Sequence, residues 1–274
     1  MATDNLPHSA PPSIERVEIG AHNVPALFVR PRDVAPGDGA PAVLIQHGYG
    51  AEKADLLPLA SLLVSYGFIA LLPDAWGHGE RFPATGPNWM TQISADYFIE
   101  VVRNTVDDMR DALTWLTAAP GARADQLVVG GFSMGAIASL VVGSEDERVA
   151  GLIAASGAPL PDLLPVRLFG STPPSEESAA WAFAHDAAAN IGRLAPRPLL
   201  IQHGRADDMV PVSGALRLYE AAQPHYAENP DNLKLMLYSH THLVSEQQMH
   251  DAVAWSVARF HGGYPAEDVE EQAS

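Results

Sequence analysis

Hydrophobic positions along the chain fall into short runs separated by stretches of helical repeat. Two segments with strand-like alternation come first, at 14–19 (IERVEI) and 24–29 (VPALFV), with Asn23 in the turn between them. Alternation marks strands with one covered face, so the pair is expected as an antiparallel hairpin at a sheet edge. After a loop at 31–41 come unbroken apolar runs at 42–45, 68–72, 127–129, 150–154 and 198–201, and a last strand at 233–238. Unbroken runs are the mark of parallel strands covered on both faces.

Helical patterns fill the gaps. One is expected over 55–66, with Pro58 in its first turn and Gly67 ending it. Ser94 can cap the next, whose stripe is Ile99, Val102, Val106, Met109, Leu113 and Leu116, spaced by three or four residues, before Pro120 and Gly121 stop it. A small-residue helix starts after Ser133, another covers 213–222, and Ser245 with Gln248 forms a capping box for a final helix to about His261. The alternation predicts one open α/β domain over 1–274, built on a mostly parallel eight-stranded sheet with helices on both faces. Residues 1–12 read as a loose arm and the acidic 266–274 as a disordered tail. Residues 158–195 break the rhythm with Pro159, Pro161, Pro165, Pro173 and Pro174 and are a candidate small lid.

Composition narrows the partners. The chain has 274 residues, 47% of them hydrophobic, and a net charge of −17. That charge repels nucleic acid and anionic membranes, so neither is expected as a partner. There is no cysteine, which removes disulfides and thiolate metal sites. The opening MATDNLPHSAPPS carries no secretory signal, and no apolar run reaches a membrane-spanning length. The expected location is cytoplasmic; a homodimer is left open.

Ligands of open α/β sheets bind beyond the carboxyl ends of the strands, and the unusual polar clusters all fall there. Gly131-Phe132-Ser133-Met134-Gly135 fits the G-x-S-x-G turn that holds a serine hydroxyl above a sheet, between a strand and a helix. Such a serine needs a base, and the base an orienting acid, in the chain order Ser, Asp or Glu, His. Asp207, with Asp208 as rival, follows one later strand, and His242 follows the next, with His240 and His250 as rivals. The backbone N–H groups of Tyr49 and Met134 are the expected donors to a developing oxyanion. Trp76, Trp89, Trp181 and Phe183 are candidates for an apolar pocket wall. His47, His78 and His203, beside glycines at strand ends, are expected to brace loops; no spacing supports a metal site.

These residues resemble those of the α/β-hydrolase superfamily and, within it, the dienelactone-hydrolase and prolyl-oligopeptidase-like esterases. Gln202-His203-Gly204 followed by Asp207 and Val210-Pro211 resembles the family's acid loop, which places the acid at Asp207 rather than Asp208. His242-Leu243-Val244-Ser245 resembles the family's histidine before the last helix, and His47-Gly48-Tyr49-Gly50 its oxyanion loop. Pro73-Asp74, then Gly77-His78-Gly79-Glu80-Arg81, resembles the loop after the fourth strand of a bacterial carboxylesterase subgroup. The resemblance implies an α/β-hydrolase fold and cofactor-independent hydrolysis of small carboxylic esters, of short to medium acyl chain, through an acyl-enzyme. Two other readings are kept: a serine peptidase or amidase on the same residues, and a non-catalytic binding protein on a hydrolase scaffold.

Overall fold

The structure is a computed structural model that describes residues 10–32, 39–82, 93–164 and 172–261. Most of the expected arm, the tail at 266–274 and the candidate pocket residue Trp89 lie outside the described residues.

Eight strands form one sheet: β1 Ser13–Ile19, β2 Val24–Arg30, β3 Ala40–Gln46, β4 Ile69–Pro73, β5 Ala122–Phe132, β6 Val149–Ala155, β7 Leu199–Gly204 and β8 Leu233–Tyr238, in the order β1-β2-β4-β3-β5-β6-β7-β8. The β1–β2 hairpin is antiparallel and forms one edge; β2 also runs antiparallel to β4, and β4 through β8 pair in parallel. The helices are α1 Leu57–Ser65, α2 Ala95–Thr117, α3 Met134–Glu145, α4 Glu176–Ala184, α5 Ile191–Leu194, α6 Val212–Ala222 and α7 Glu246–Phe260.

The apolar runs are explained by a core on each face. Ala42 and Leu44 of β3, with Leu127 and Val129 of β5, pack beneath α2, α3 and α6. Their neighbours Val43, Ile45 and Val128 face α1 and α7 on the other side. Successive strand side chains point to opposite faces, so a strand buried on both must be apolar throughout.

Three boundaries differ from the sequence reading. Helix α1 starts later, after a separate tight turn at Lys53–Leu56 closed by reciprocal bonds between Glu52 and Asp55. Strand β5 is longer than its apolar run at both ends: the polar, mostly exposed 122–126 starts it, with Ala122 paired to Ala40, and Gly130 and Gly131 have no side chain to reveal a pattern but still pair with Ile45 and Gln46. Pro41 belongs to β3 rather than to a loop, at a register shift between Ala40 and Ala42 where its missing N–H is tolerated. Both expected caps are present: Ser94 accepts the Tyr97 N–H, and Ser245 and Gln248 bond reciprocally.

The described parts of 158–195 lie on the α2–α3–α6 side. Leu160, Leu163, Ala182, Ile191 and Leu194 are buried in that core. Arg217 of α6 fastens the segment by donating to Asp162 and Asp186.

Candidate active site

Ser133 lies between β5 and α3 with φ +55° and ψ −118°. A non-glycine residue there carries strain of about 1–3 kcal/mol, held by its surroundings. The surroundings are tight. A Cβ on Gly131 would stand 2.4 Å from the Gly135 carbonyl carbon, and one on Gly135 would stand 2.1 Å from the Gln46 oxygen. The helix start therefore rests directly on the end of β3, which only glycine at both positions allows. The loop after β3 touches the turn as well, since a Cβ on Gly48 would lie 3.5 Å from Ser133 Cβ.

His242 reaches over from the loop before α7. Its Nε2 is 2.9 Å from Ser133 Oγ, and its Nδ1 is 2.7 Å from Asp207 Oδ2. Asp207 is buried at the end of β7, and burial opposes its charge. Donors on His203 and His242 and the Val210 N–H outweigh that cost and hold the carboxyl well below the usual range. An ionised Asp207 only accepts, so Nδ1 of His242 carries the proton and donates it. The free lone pair on Nε2 then faces the Ser133 hydroxyl, which donates to it. The other Asp207 oxygen accepts the N–H groups of Met209 and Val210. This arrangement can take the hydroxyl proton and stabilise the resulting imidazolium.

The rival groups lie apart from this chain of bonds. His240 donates Nδ1–H to the Thr241 carbonyl and stacks on Tyr238. His250 lies exposed on α7, and Asp208 is exposed.

The three histidines beside glycines at strand ends make loop contacts. His47 donates Nδ1–H to the Gly48 carbonyl and accepts the Ala75 N–H on Nε2, joining the loops after β3 and β4. Burial lowers its pKa from 6.5 to about 4. His78 donates to the Trp76 carbonyl and stands edge-on to Tyr49. His203 donates to the Val210 carbonyl with Asp207 Oδ2 at 3.4 Å. Among the described residues, no group of three or more His, Asp or Glu is placed to hold a metal ion.

The loop after β4 is built on a buried carboxylate. Asp74 is paired with Lys53 Nζ at 2.6 Å and accepts the N–H groups of Lys53 and Glu80; Lys53 also reaches Glu80 at 2.7 Å. Gly79 lies over it at φ +53°, where a Cβ would meet the carboxylate at 2.2 Å. This fixes the Gly77-His78-Gly79 segment against the Tyr49 loop.

The expected aromatic wall is only partly here. Trp76 is half-buried beside Tyr97, and Tyr49 lies near Phe98. Trp181 does not belong to the wall. It stacks on His185, whose Nε2 is 3.5 Å from Glu145 at the far end of α3 from Ser133, about 18 Å along the helix. Phe183, on the same short helix, is 62% exposed. The physical reason is that α4, which carries both residues, packs along α2 and toward the far end of α3. Sequence reasoning overlooked Phe132, whose ring lies 5.0 Å from that of His242, and Tyr97 and Phe98. The Ser94 cap had placed those two at the site end of α2.

Three comparisons bear on this site. The model of the dienelactone hydrolase family matches residues 24–259. Esterase YjfP of Escherichia coli (strain K12) is 26% identical over 189 residues, covering 66% of this chain and 74% of that one. YitV of Bacillus subtilis (strain 168), provisionally named an esterase, is 25% identical over 211 residues, covering 72% and 80%. The crystal structure of TT1662 from Thermus thermophilus superposes with a TM-score of 0.74 at 24% identity, covering 91% of this chain and all of that one.

Proposed function

This chain belongs to the dienelactone hydrolase family, and we propose that within it the protein is a serine carboxylesterase acting on small esters of short to medium acyl chain. The reading rests on one observation, the continuous line of hydrogen bonds from Ser133 Oγ through His242 to Asp207. It is supported by the hydrolase character of the family and by an esterase relative.

In the proposed cycle, His242 takes the Ser133 proton as Oγ attacks the ester carbonyl. The tetrahedral oxyanion forms beside the N-terminus of α3, where first-turn N–H groups have no intrahelical partner. Met134 N–H is the first of these, and Tyr49 N–H follows Gly48, which abuts Ser133. Donors fixed in this way contribute about 3–4 kcal/mol each to such a transition state. His242 then protonates the leaving alcohol, and water, activated by the same imidazole, releases the acid. Asp207 stays ionised throughout and holds the histidine tautomer.

The test is labelling and turnover together. A fluorophosphonate should label wild-type protein and not Ser133→Ala, and p-nitrophenyl esters from acetate to palmitate should give a maximum at short to medium length. Faster turnover of matched anilides would move the protein to the amidases. Equal labelling of both proteins would remove Ser133 as the nucleophile.

A further inference from the structure

On the face of the sheet opposite α3 there is an open cavity of about 240 Å³ between α1 and α7. Its walls are apolar: Ile45, Leu59, Phe132, Val244, Met249 and Ala252 among them. Two features separate it from an ordinary packing gap.

First, its rim is made by the three segments that carry the site. Asp55 and Leu56 continue the loop after Tyr49, Gly131 and Phe132 lead into Ser133, and Val244 follows His242 by two residues. Phe132 forms wall on one side and lies against the His242 ring. Second, its apolar lining reaches the surface. Val244 is 41% exposed at the mouth, where an apolar side chain gains nothing from water.

We infer that this cavity receives the apolar chain of the substrate, and that it sets the upper chain length the enzyme accepts. The inference rests on the serine esterase reading, and it adds a place and a class: an ester with a linear aliphatic acyl chain running from Ser133 past Phe132 between α1 and α7. Each methylene buried there raises kcat/KM by about fourfold, until the chain meets the floor.

Met249 in the first turn of α7 is the position to test. Met249→Trp plugs the cavity and Met249→Ala enlarges it. The readout is the ratio of kcat/KM for p-nitrophenyl octanoate to that for butyrate, so a general loss of activity cancels. Met249→Trp should lower the ratio at least tenfold, and Met249→Ala should move the best chain length upward by one or two carbons. In parallel, calorimetry on Ser133→Ala should detect 1-octanol binding that the added Met249→Trp change removes. An unchanged ratio in both Met249 variants would overturn the inference, as would absence of octanol binding. If no ester is turned over and octanol still binds in a Met249-dependent way, the esterase reading has failed and the acyl assignment falls with it.

Discussion

Lowering the pH from 7.5 to 5.5 protonates an unfolded histidine but leaves His47 neutral. Both of its ring nitrogens are committed in the neutral form, Nδ1–H to Gly48 and Nε2 to the Ala75 N–H, and the side chain is 1% exposed. Burial is the main cause of its lowered pKa, about 4 against an ordinary 6.5, with the Gly48 carbonyl and Asp74 only partly offsetting it. The sign follows from linkage. A histidine whose folded pKa is depressed contributes its stability in full above the unfolded pKa, and that contribution is lost as pH falls toward the folded value. Between pH 7.5 and 5.5 only the unfolded state takes up the proton. The unfolded side gains about one logarithmic unit, so His47 alone removes about 1.4 kcal/mol of folding stability.

The control is His47→Gln, whose amide can accept from Ala75 and donate to Gly48 without titrating. Urea unfolding followed by circular dichroism at both pH values gives the comparison. Wild type should lose about 1.4 kcal/mol more than the variant on acidification, whatever their absolute stabilities. His78, also depressed by burial, contributes to both proteins and drops out. Equal losses would refute the reasoning, because His47 would then be free to protonate where it sits.

Other outcomes follow from the same geometry. Asp207→Asn should lower kcat about 10⁴-fold. Two backbone N–H groups lock one oxygen in place, which turns the new amide N–H toward His242 and forces the wrong tautomer; a loss under tenfold would sink this. Gly135→Ala should cost about 1–3 kcal/mol, because the methyl meets the main chain of Gln46 and His47. The shift of α3 should also cost about 10²-fold in kcat, and thermal melts with steady-state kinetics check both. Arg197 donates to the carbonyls of Gly143, Asp146, Val149, Arg193 and Leu194. Lysine cannot make that fan, so Arg197→Lys should lose about 2–4 kcal/mol in urea unfolding. Its kcat should stay within about twofold, since the fan lies at the end of α3 away from the site.

Much of the fold is readable because burial on both faces leaves a strand no freedom of pattern. Leu44 and Ile45 face different cores, and both had to be apolar. The Ser133 turn is readable because its glycines answer to fixed main-chain neighbours. What the pattern does not carry is pairing at a distance. Lys53 and Asp74 meet across 21 residues, so the buried pair that anchors the turn before α1 left no local sign. Trp181 and Phe183 look like pocket residues on a short helix, yet the direction of that helix is set by the reach of His185 to Glu145 and by the packing of α4 on α2, both distant in the chain. Phe132 was hidden in plain view inside the motif, because a motif specifies the turn and not the neighbour of the histidine.

The bond between Ser133 and His242 spans 109 residues of chain. Read in time rather than space, that number is a delay. At about 5–20 residues per second of synthesis, the Ser133 turn leaves the ribosome roughly 5–20 s before its base. Strands β3, β4 and β5, with α1 and α2, precede Ser133 and can settle around it early. The edge strand β8, the loop that follows it and α7 come last. Under the proposed serine esterase reading, the nascent protein therefore carries an inert serine until its final helix docks, and the appearance of ester turnover marks completion of the whole sheet.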